Sequence, residues 1–462
     1  MTVSRRGFLK AALAPFAAAP AVLGQATAPP NVLFILADEW RAQATGYNGD
    51  PNVKAPVLDR LESESVNFHN AFSGTPVCCP YRASLMTGQY PLTNGIYVND
   101  LELKPRDVTL GEAFKHAGYH TGFIGKWHLY GSPDGNYGRR LAYIPPEKRF
   151  GFEYWKACEC THNYNHSLCY EGDDKTPKYW PGYDAFSQTD DACKFIERST
   201  KAHEPYMLVL SLGPPHFPYA TAPAQYQDMY RAAEIQFRPN VPADHRKQAA
   251  DTLRGYYAHM AALNDCLERL LATLDRTGTR EDTVVEFTSD HGDMVLSQGL
   301  TTKLYPHRIT APFNSPDIMP TLLGACGLKI PASVEGTAMP RDGAAPISLP
   351  VPITEARRYG FAEYRGLRTE RYTYVRSIHG PWLLYDNQKD PYQMNNLCGT
   401  ADVRRLQAQL DRALDQRLRS RKDDFLPAAE YIKRAGVEHY KEIHTTVGHT
   451  ASPWGDWRST MN

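Results

Sequence analysis

Asn31-Val32-Leu33-Phe34-Ile35-Leu36 is a continuous apolar run that closes on Ala37-Asp38-Glu39. Its length and its strand-forming residues predict a parallel strand buried on both faces. Three other segments share this form: Thr121 to Ile124, Met207 to Leu212, and Thr283 to Ser289. Helical patterns separate them, most clearly from Thr252 to Leu274, where Leu253, Tyr256, Tyr257, Met260, Leu263, Leu267, Leu270 and Leu271 recur at helical spacing. Strands alternating with helices predict an α/β fold, a mostly parallel sheet covered by helices on both faces.

In open parallel sheets, ligands bind outside the carboxyl ends of the strands. The residues just past each strand are therefore informative. Asp38 and Glu39 close the first, and Gly125-Lys126-Trp127-His128 the second. Gly213-Pro214-Pro215-His216 comes after the third, and Asp290-His291-Gly292-Asp293 after the fourth. One such end would mean little, but four delivered to one edge predict a site. Asp38, Glu39 and Asp290 are hard oxygen ligands suited to Ca²⁺ or Mg²⁺, with Asp293 a capping or solvated carboxylate. Lys126, His128, His216 and Lys303 are cationic or proton-carrying. A cation beside several basic groups suits a tetrahedral oxyanion ester: charge on its oxygens is neutralised and a His can protonate the leaving oxygen.

Working outward, the character changes after about Pro340. Phe361 to Tyr374 and Pro381 to Tyr385 read as short antiparallel strands, and Val403 to Leu418 as an amphipathic helix. We expect a catalytic domain over 27–345 and a smaller C-terminal subdomain, antiparallel sheet plus helix, over 346–462. The stretch from Tyr130 to Tyr183, rich in Gly, Pro and aromatics, reads as a long ordered loop. At the N-terminus, Ser4-Arg5-Arg6-Gly7-Phe8-Leu9-Lys10 precedes a weakly apolar run from Ala11 to Leu23, broken by Pro15 and Pro20 and too short to span a bilayer. Residues 1–26 are thus expected to be a twin-arginine signal region, and the mature protein to be periplasmic or secreted, exported folded and without stable membrane insertion. Lys+Arg and Asp+Glu balance at 51 each in 462 residues, which leaves no footprint for nucleic acid. Nine cysteines suit an oxidising compartment but form no regular disulfide framework.

Pro76-Val77-Cys78-Cys79-Pro80-Tyr81-Arg82-Ala83-Ser84-Leu85-Met86-Thr87-Gly88 is the candidate nucleophile segment. Pro80 suits the first turn of a helix and Gly88 its end. The two cysteines then sit where unpaired N–H groups favour an anion. A reactive thiolate, a structural Cys and a vicinal disulfide are all compatible with the residues alone.

This segment resembles the first signature of the type I, formylglycine-dependent sulfatases, C-x-P-x-R, and Gly118 to His128 resembles the second. Asp38, Pro215 to Pro218, Ser289 to Gly292 and, further on, Leu384-Tyr385-Asp386 extend the similarity. The resemblance implies an alkaline-phosphatase-like fold and hydrolysis of a sulfate ester, with a carbohydrate ester the expected substrate by analogy. It implies that a formylglycine-generating enzyme oxidises Cys78, whose hydrated aldehyde attacks sulfur and later releases sulfate. By position, Arg82 and Lys126 steady the hydrate, His128 assists proton removal, and His216 and Lys303 bind sulfate and the leaving oxygen. Asp38, Glu39, Asp290 and His291 take the metal positions beside residue 78, for Ca²⁺ or, second, Mg²⁺. Partners so implied are a sulfated glycan or small molecule, the maturation enzyme and the twin-arginine export machinery. The chain departs from the family at Glu39, at His291, and in a shorter segment after Lys303, where a sheet strand is missing. Two other readings fit the signatures: a phosphonate or phosphate diester hydrolase on the same scaffold, and an inactive binding homologue.

Cys158-Glu159-Cys160-Thr161-His162-Asn163-Tyr164-Asn165-His166-Ser167-Leu168-Cys169 offers zinc-type ligands, but it lacks paired Cys-x-x-Cys knuckles. We expect instead that this loop borders the sulfate pocket, with His162 and His166 toward substrate and with Tyr164 and Trp155 offering flat faces to a sugar.

Overall fold

The computed structural model describes residues 29–299, 312–338, 345–351 and 362–440. The four expected strands form as β1 (Asn31–Asp38), β3 (His120–Lys126), β7 (Tyr206–Pro215) and β8 (Thr283–Ser289). Two-residue β2 (Ala71–Phe72) pairs with β9 (Phe313–Asn314) outside the main sheet. The region from Tyr130 to Tyr183 is not one long loop. It contributes β4 (Tyr154–Cys158), β5 (Leu168–Glu171) and β6 (Lys178–Tyr179). The sheet runs β6-β5-β4-β3-β7-β1-β8, parallel from β4 to β8 and antiparallel at β5 and β6.

The alternation of side chains along the central strands explains why their sequences are apolar throughout. Val32, Phe34 and Leu36 of β1 enter one core cluster, whereas Leu33, Ile35 and Ala37 enter the other. Met207 and Val209 of β7 divide from Leu208 and Leu210 in the same way. The first face is closed by α2 (Cys78–Thr87), α3 (Leu110–His116) and α6 (Ser315–Ala325); the second by α1 (Pro56–Glu64), α4 (Asp184–Ala202) and α5 (Arg246–Thr277). A fully buried side chain of this size is worth about 1.5–3 kcal/mol, so the two-faced burial dominates the fold's stability.

A smaller antiparallel sheet comes next, in the order β10 (Ala345–Leu349), β11 (Tyr364–Arg368), β12 (Tyr372–Ser377) and β13 (Gly380–Asp386). Helix α7 (Arg404–Ser420) covers it through Leu410 and Leu414. Ile347, Tyr364 and Val375 belong to the first core cluster, so this sheet is packed into the main body. No helix among the described residues is long and apolar enough to cross a membrane.

Candidate active site

In the sheet, β3, β7, β1 and β8 are consecutive neighbours. Their carboxyl ends therefore bring Lys126, His216, Asp38 and Asp290 to one edge. Lys126 closes β3 after Gly125, whose φ of 103° and whose Cβ direction, 2.0 Å from the Ser211 carbonyl oxygen, admit no side chain. His216 comes just after β7, between two cis peptide bonds, Pro214–Pro215 and Phe217–Pro218. The Tyr164 hydroxyl donates to its carbonyl at 2.9 Å.

Helix α2 begins at Cys78 and ends on Gly88 at φ 64°. Cys78 is 1% exposed. Its Sγ lies 3.3 Å from His291 Nε2, 3.7 Å from Lys126 Nζ and 3.8 Å from Asp38 Oδ1. One turn on, Arg82 donates to the Lys126 carbonyl at 2.8 Å and to Ser211 Oγ at 2.7 Å. Its other nitrogen bridges Asp38 Oδ2 at 3.2 Å and Asp290 Oδ2 at 3.3 Å. Lys126 Nζ donates to Asp38 Oδ2 at 2.5 Å.

Among the described residues, Asp38, Cys78, Asp290 and His291 form the one group whose ligand atoms all lie within 4.8 Å of one another. Burial pushes the Asp38 carboxyl up, yet Lys126, His216, Arg82 and His291 together hold it well below the usual carboxylate range. Burial and the neighbouring charge of Asp38 push Asp290 upward. Two carboxylates this close call for a positive charge between them, and oxygen donors with one imidazole suit a hard divalent cation. Glu39 stands beside this group: its N–H donates to Asp290 Oδ1 at 3.0 Å, and its Oε2 lies 3.5 Å from His216 Nε2.

His128 lies at the same edge. Its carbonyl accepts from the Cys79 thiol at 2.9 Å, and its Nε2 is 3.7 Å from Asp100 Oδ1. Arg140 grips that aspartate with two nitrogens. Burial disfavours the imidazolium, but Cys160, Cys79 and Asp100 outweigh it and raise the His128 pKa well above the usual value. Burial likewise opposes the Cys160 thiolate, but His128, Lys126 and Arg140 bring that thiol down. His162 stacks on His216 at 4.2 Å, and burial with the charges of His216 and Lys126 keeps it neutral. His166 is exposed and stacks on Tyr179 at 4.0 Å, away from these contacts.

Trp155 and Tyr164 do not offer faces to a sugar. Trp155 is 1% exposed among Phe123 and Trp127, and Tyr164 is fully buried. All nine cysteines are free thiols. Lys303 and residues 1–26 lie outside the described residues. Asp293 accepts from Tyr219 Oη and from the Val295 N–H, both at 2.6 Å. The sequence reading missed Ser211, Asp100, Arg140 and Glu159. Glu159 accepts the N–H groups of Leu129, Tyr130 and Gly131 and so shapes the turn after His128. It directly follows β4, and the strand-end rule would have found it had β4 been recognised.

Fold and site together define an alkaline-phosphatase-like α/β hydrolase for tetrahedral oxyanion esters, with a place for a divalent cation. More narrowly, the chain belongs to the sulfatase family: residues 30–327 match the family model described as Sulfatase. It is 40% identical over 439 residues to the ulvan-active sulfatase of Formosa agariphila, covering 88% of this chain and 84% of that protein. It is 28% identical to an endo-4-O-sulfatase of Bacteroides thetaiotaomicron, covering 82% of this chain and 90% of the other. A solved structure from the glycosaminoglycan-metabolising locus of Bacteroides thetaiotaomicron superposes with a TM-score of 0.75 at 25% identity, covering 89% of this chain and all of that one.

Proposed function

We propose that this sulfatase removes sulfate from a carbohydrate, with residue 78 as nucleophile once Cys78 is converted to formylglycine. The observation that carries the reading is the position of Cys78 Sγ, at a helix N-terminus and within 4 Å of Asp38, Lys126 and His291. The carbohydrate rests on the relatives, which are named for ulvan and for endo-4-O-sulfate ester hydrolysis.

Asp38, Asp290 and His291 would hold Ca²⁺, or in second place Mg²⁺, with residue 78 beside it and Glu39 at its margin. Such a cation would neutralise charge on the ester oxygens, and a hydrated formylglycine would supply a nucleophilic hydroxyl with a second one in reserve. Arg82 and Lys126 fix the carboxylates and face residue 78 with positive charge. His128, whose Nε2 lies 3.7 Å from Asp100, would assist proton removal from the hydrate at residue 78. His216, with neutral His162 stacked behind it, serves the leaving oxygen together with Lys303. His166 has no part in this arrangement. The catalytic domain is assigned to 27–345, and the leader in 1–26 supports export by the twin-arginine route to the periplasm or beyond.

Mass analysis of residue 78, with an activity screen on sulfated glycans and aryl sulfates, tests the proposal. The thiol should be replaced by the aldehyde in active protein, and Cys78→Ala should lower kcat at least about a thousandfold with the fold intact. Full activity in Cys78→Ala sinks the mechanism. Faster turnover of phosphodiesters than of sulfate esters assigns the chain to the related hydrolases instead.

A further inference from the structure

A second feature adjoins the site without being part of it. Between the main sheet's edge and the C-terminal sheet lies a cavity with about 890 Å³ of space, part of it continuous with solvent. Its floor comes from the two metal-bearing loops: Arg41 lies three residues beyond Asp38, and Asp293 three beyond Asp290. Its far wall comes from the C-terminal subdomain, with Trp382, Tyr385 and Tyr392.

Three buried polar atoms among the lining residues have no hydrogen-bond partner among the described protein groups: Arg41 Nε, Arg238 Nε and Asn240 Oδ1. Arg41 is 5% exposed and is anchored by one nitrogen on the Met294 carbonyl at 3.2 Å. The Arg238 carbonyl accepts from the Val241 N–H at 3.0 Å, but the guanidinium forms no hydrogen bond or ion pair with a described residue and feels Asp50 only as a more distant charge. Its guanidinium lies over the Tyr392 ring at 5.1 Å, which fixes its plane and leaves its edge for a ligand. Asn240 is held through its amide nitrogen on the Tyr392 carbonyl at 3.5 Å, so its oxygen remains as an acceptor. Asp293, the one carboxylate among the described lining residues, is already engaged by Tyr219 and Val295.

Two guanidiniums, a spare amide acceptor and aromatic faces make a specific combination. Guanidinium forks match planar or tetrahedral oxyanions. Aromatic rings match the apolar face of a pyranose. An amide oxygen accepts from a hydroxyl. Because Arg41 and Asp293 belong to the same loops as Asp38 and Asp290, a group bound here would lie beside the scissile ester without being that ester. A second hollow continues past Arg238 and Tyr392 toward Asn48 and His69, giving a longer chain somewhere to run.

We infer that this cavity is a subsite for an acidic saccharide, with Arg238 binding a second oxyanion, a uronate carboxylate or a further sulfate, on a sugar unit next to the one being desulfated. The inference rests on the sulfatase reading and names its substrate class.

Binding can be read without turnover. In full-length Cys78→Ala protein with Ca²⁺ present, a sulfated oligosaccharide carrying a uronate is titrated calorimetrically, before and after chemical reduction of its carboxyl. A disulfated oligosaccharide without uronate forms the third arm. Arg238→Ala should weaken binding of the acidic ligand roughly 10- to 100-fold, the range of a lost charge-assisted hydrogen bond. It should weaken binding of the carboxyl-reduced ligand much less, and Arg238→Lys should recover part of the loss. An effect that tracks the second sulfate and not the carboxyl identifies that sulfate as the oxyanion. Equal weakening of charged and reduced ligands, or none, overturns the subsite. The Arg238 side chain bears no hydrogen bond to a described residue, and unchanged thermal stability of the variant shows that the fold is not the cause. The sulfatase reading fails separately, if wild-type protein with residue 78 converted hydrolyses no sulfate ester; the affinity comparison is decided on its own data.

Discussion

Arg82, 2% exposed, spends its guanidinium on a main-chain carbonyl, a hydroxyl and two carboxylates. It shares Asp38 with Lys126, so each cation is partly replaceable as a charge but not as a shape. Removing one member of a buried ion cluster leaves the rest uncompensated, which costs about 3–5 kcal/mol. Arg82→Gln should lower stability by that amount in urea unfolding and abolish turnover, whereas Arg82→Lys should recover much of the stability and little activity. Equal stability of wild type and Arg82→Gln would show that the carboxylates are neutral in the folded protein. Asp38, Lys126 and Asp290 were legible from sequence because each closes or directly follows a strand, and Arg82 because it stands four residues after Cys78 in the signature segment. Ser211, Asp100 and Arg140 were not, since each is a lone polar residue whose partner lies from about 30 to 130 positions away. Only the closed fold shows what they face.

At the level of elements, the same contrast separates the strands. β1, β3, β7 and β8 announce themselves because a strand buried on both faces must be apolar throughout. β4 does not: Lys156 interrupts it, and the contact with Asp191 on α4 together with the Trp180 ring, 4.4 Å from its Nζ, makes a lysine tolerable there. Its Gly- and Pro-rich surroundings imitate a loop. α4 itself carries a testable anomaly. Asp184 opens the helix, where the dipole favours a carboxylate by about 0.3–1 kcal/mol. Burial is the larger effect and pushes its pKa up to about 7, against the smaller opposing influence of the nearby Ser167 hydroxyl and Ala185 N–H. The folded pKa is above that of the unfolded chain, near 3.9. The folded state therefore takes up a proton between these values, and the stabilisation, complete below about pH 4, is lost as pH rises through about 7. Every tenfold difference in proton affinity between the folded and unfolded chain corresponds to about 1.4 kcal/mol. Asp184→Asn should flatten the fall in Tm between pH 5 and pH 8.5. An unaltered pH profile would mean that Asp184 is already ionised at the lower pH.

Across the whole molecule, the candidate metal ligands come from three segments, at residues 38, 78 and 290–291, which no short piece of unfolded chain brings together. A cation that binds the folded state alone must stabilise it by mass action, about 2.7 kcal/mol at a hundredfold excess over Kd. Chelation by EGTA should lower Tm, and Ca²⁺ should restore it more fully than Mg²⁺. Stoichiometric zinc by elemental analysis, or a Tm indifferent to chelator, would overturn the assignment of the ion.

The burial of Cys78 has a consequence in time. At 1% exposure, beneath Asp38, Lys126 and His291, its sulfur offers a maturation enzyme nothing to grasp in the finished protein. If the thiol is to become an aldehyde, the oxidation must win a race against closure of the sheet edge, while residue 78 is synthesised and the partners at 290 and 291 are not yet in place. A molecule that folds first keeps its thiol. The active fraction of any preparation is then a record of that race, fixed at birth and beyond later repair.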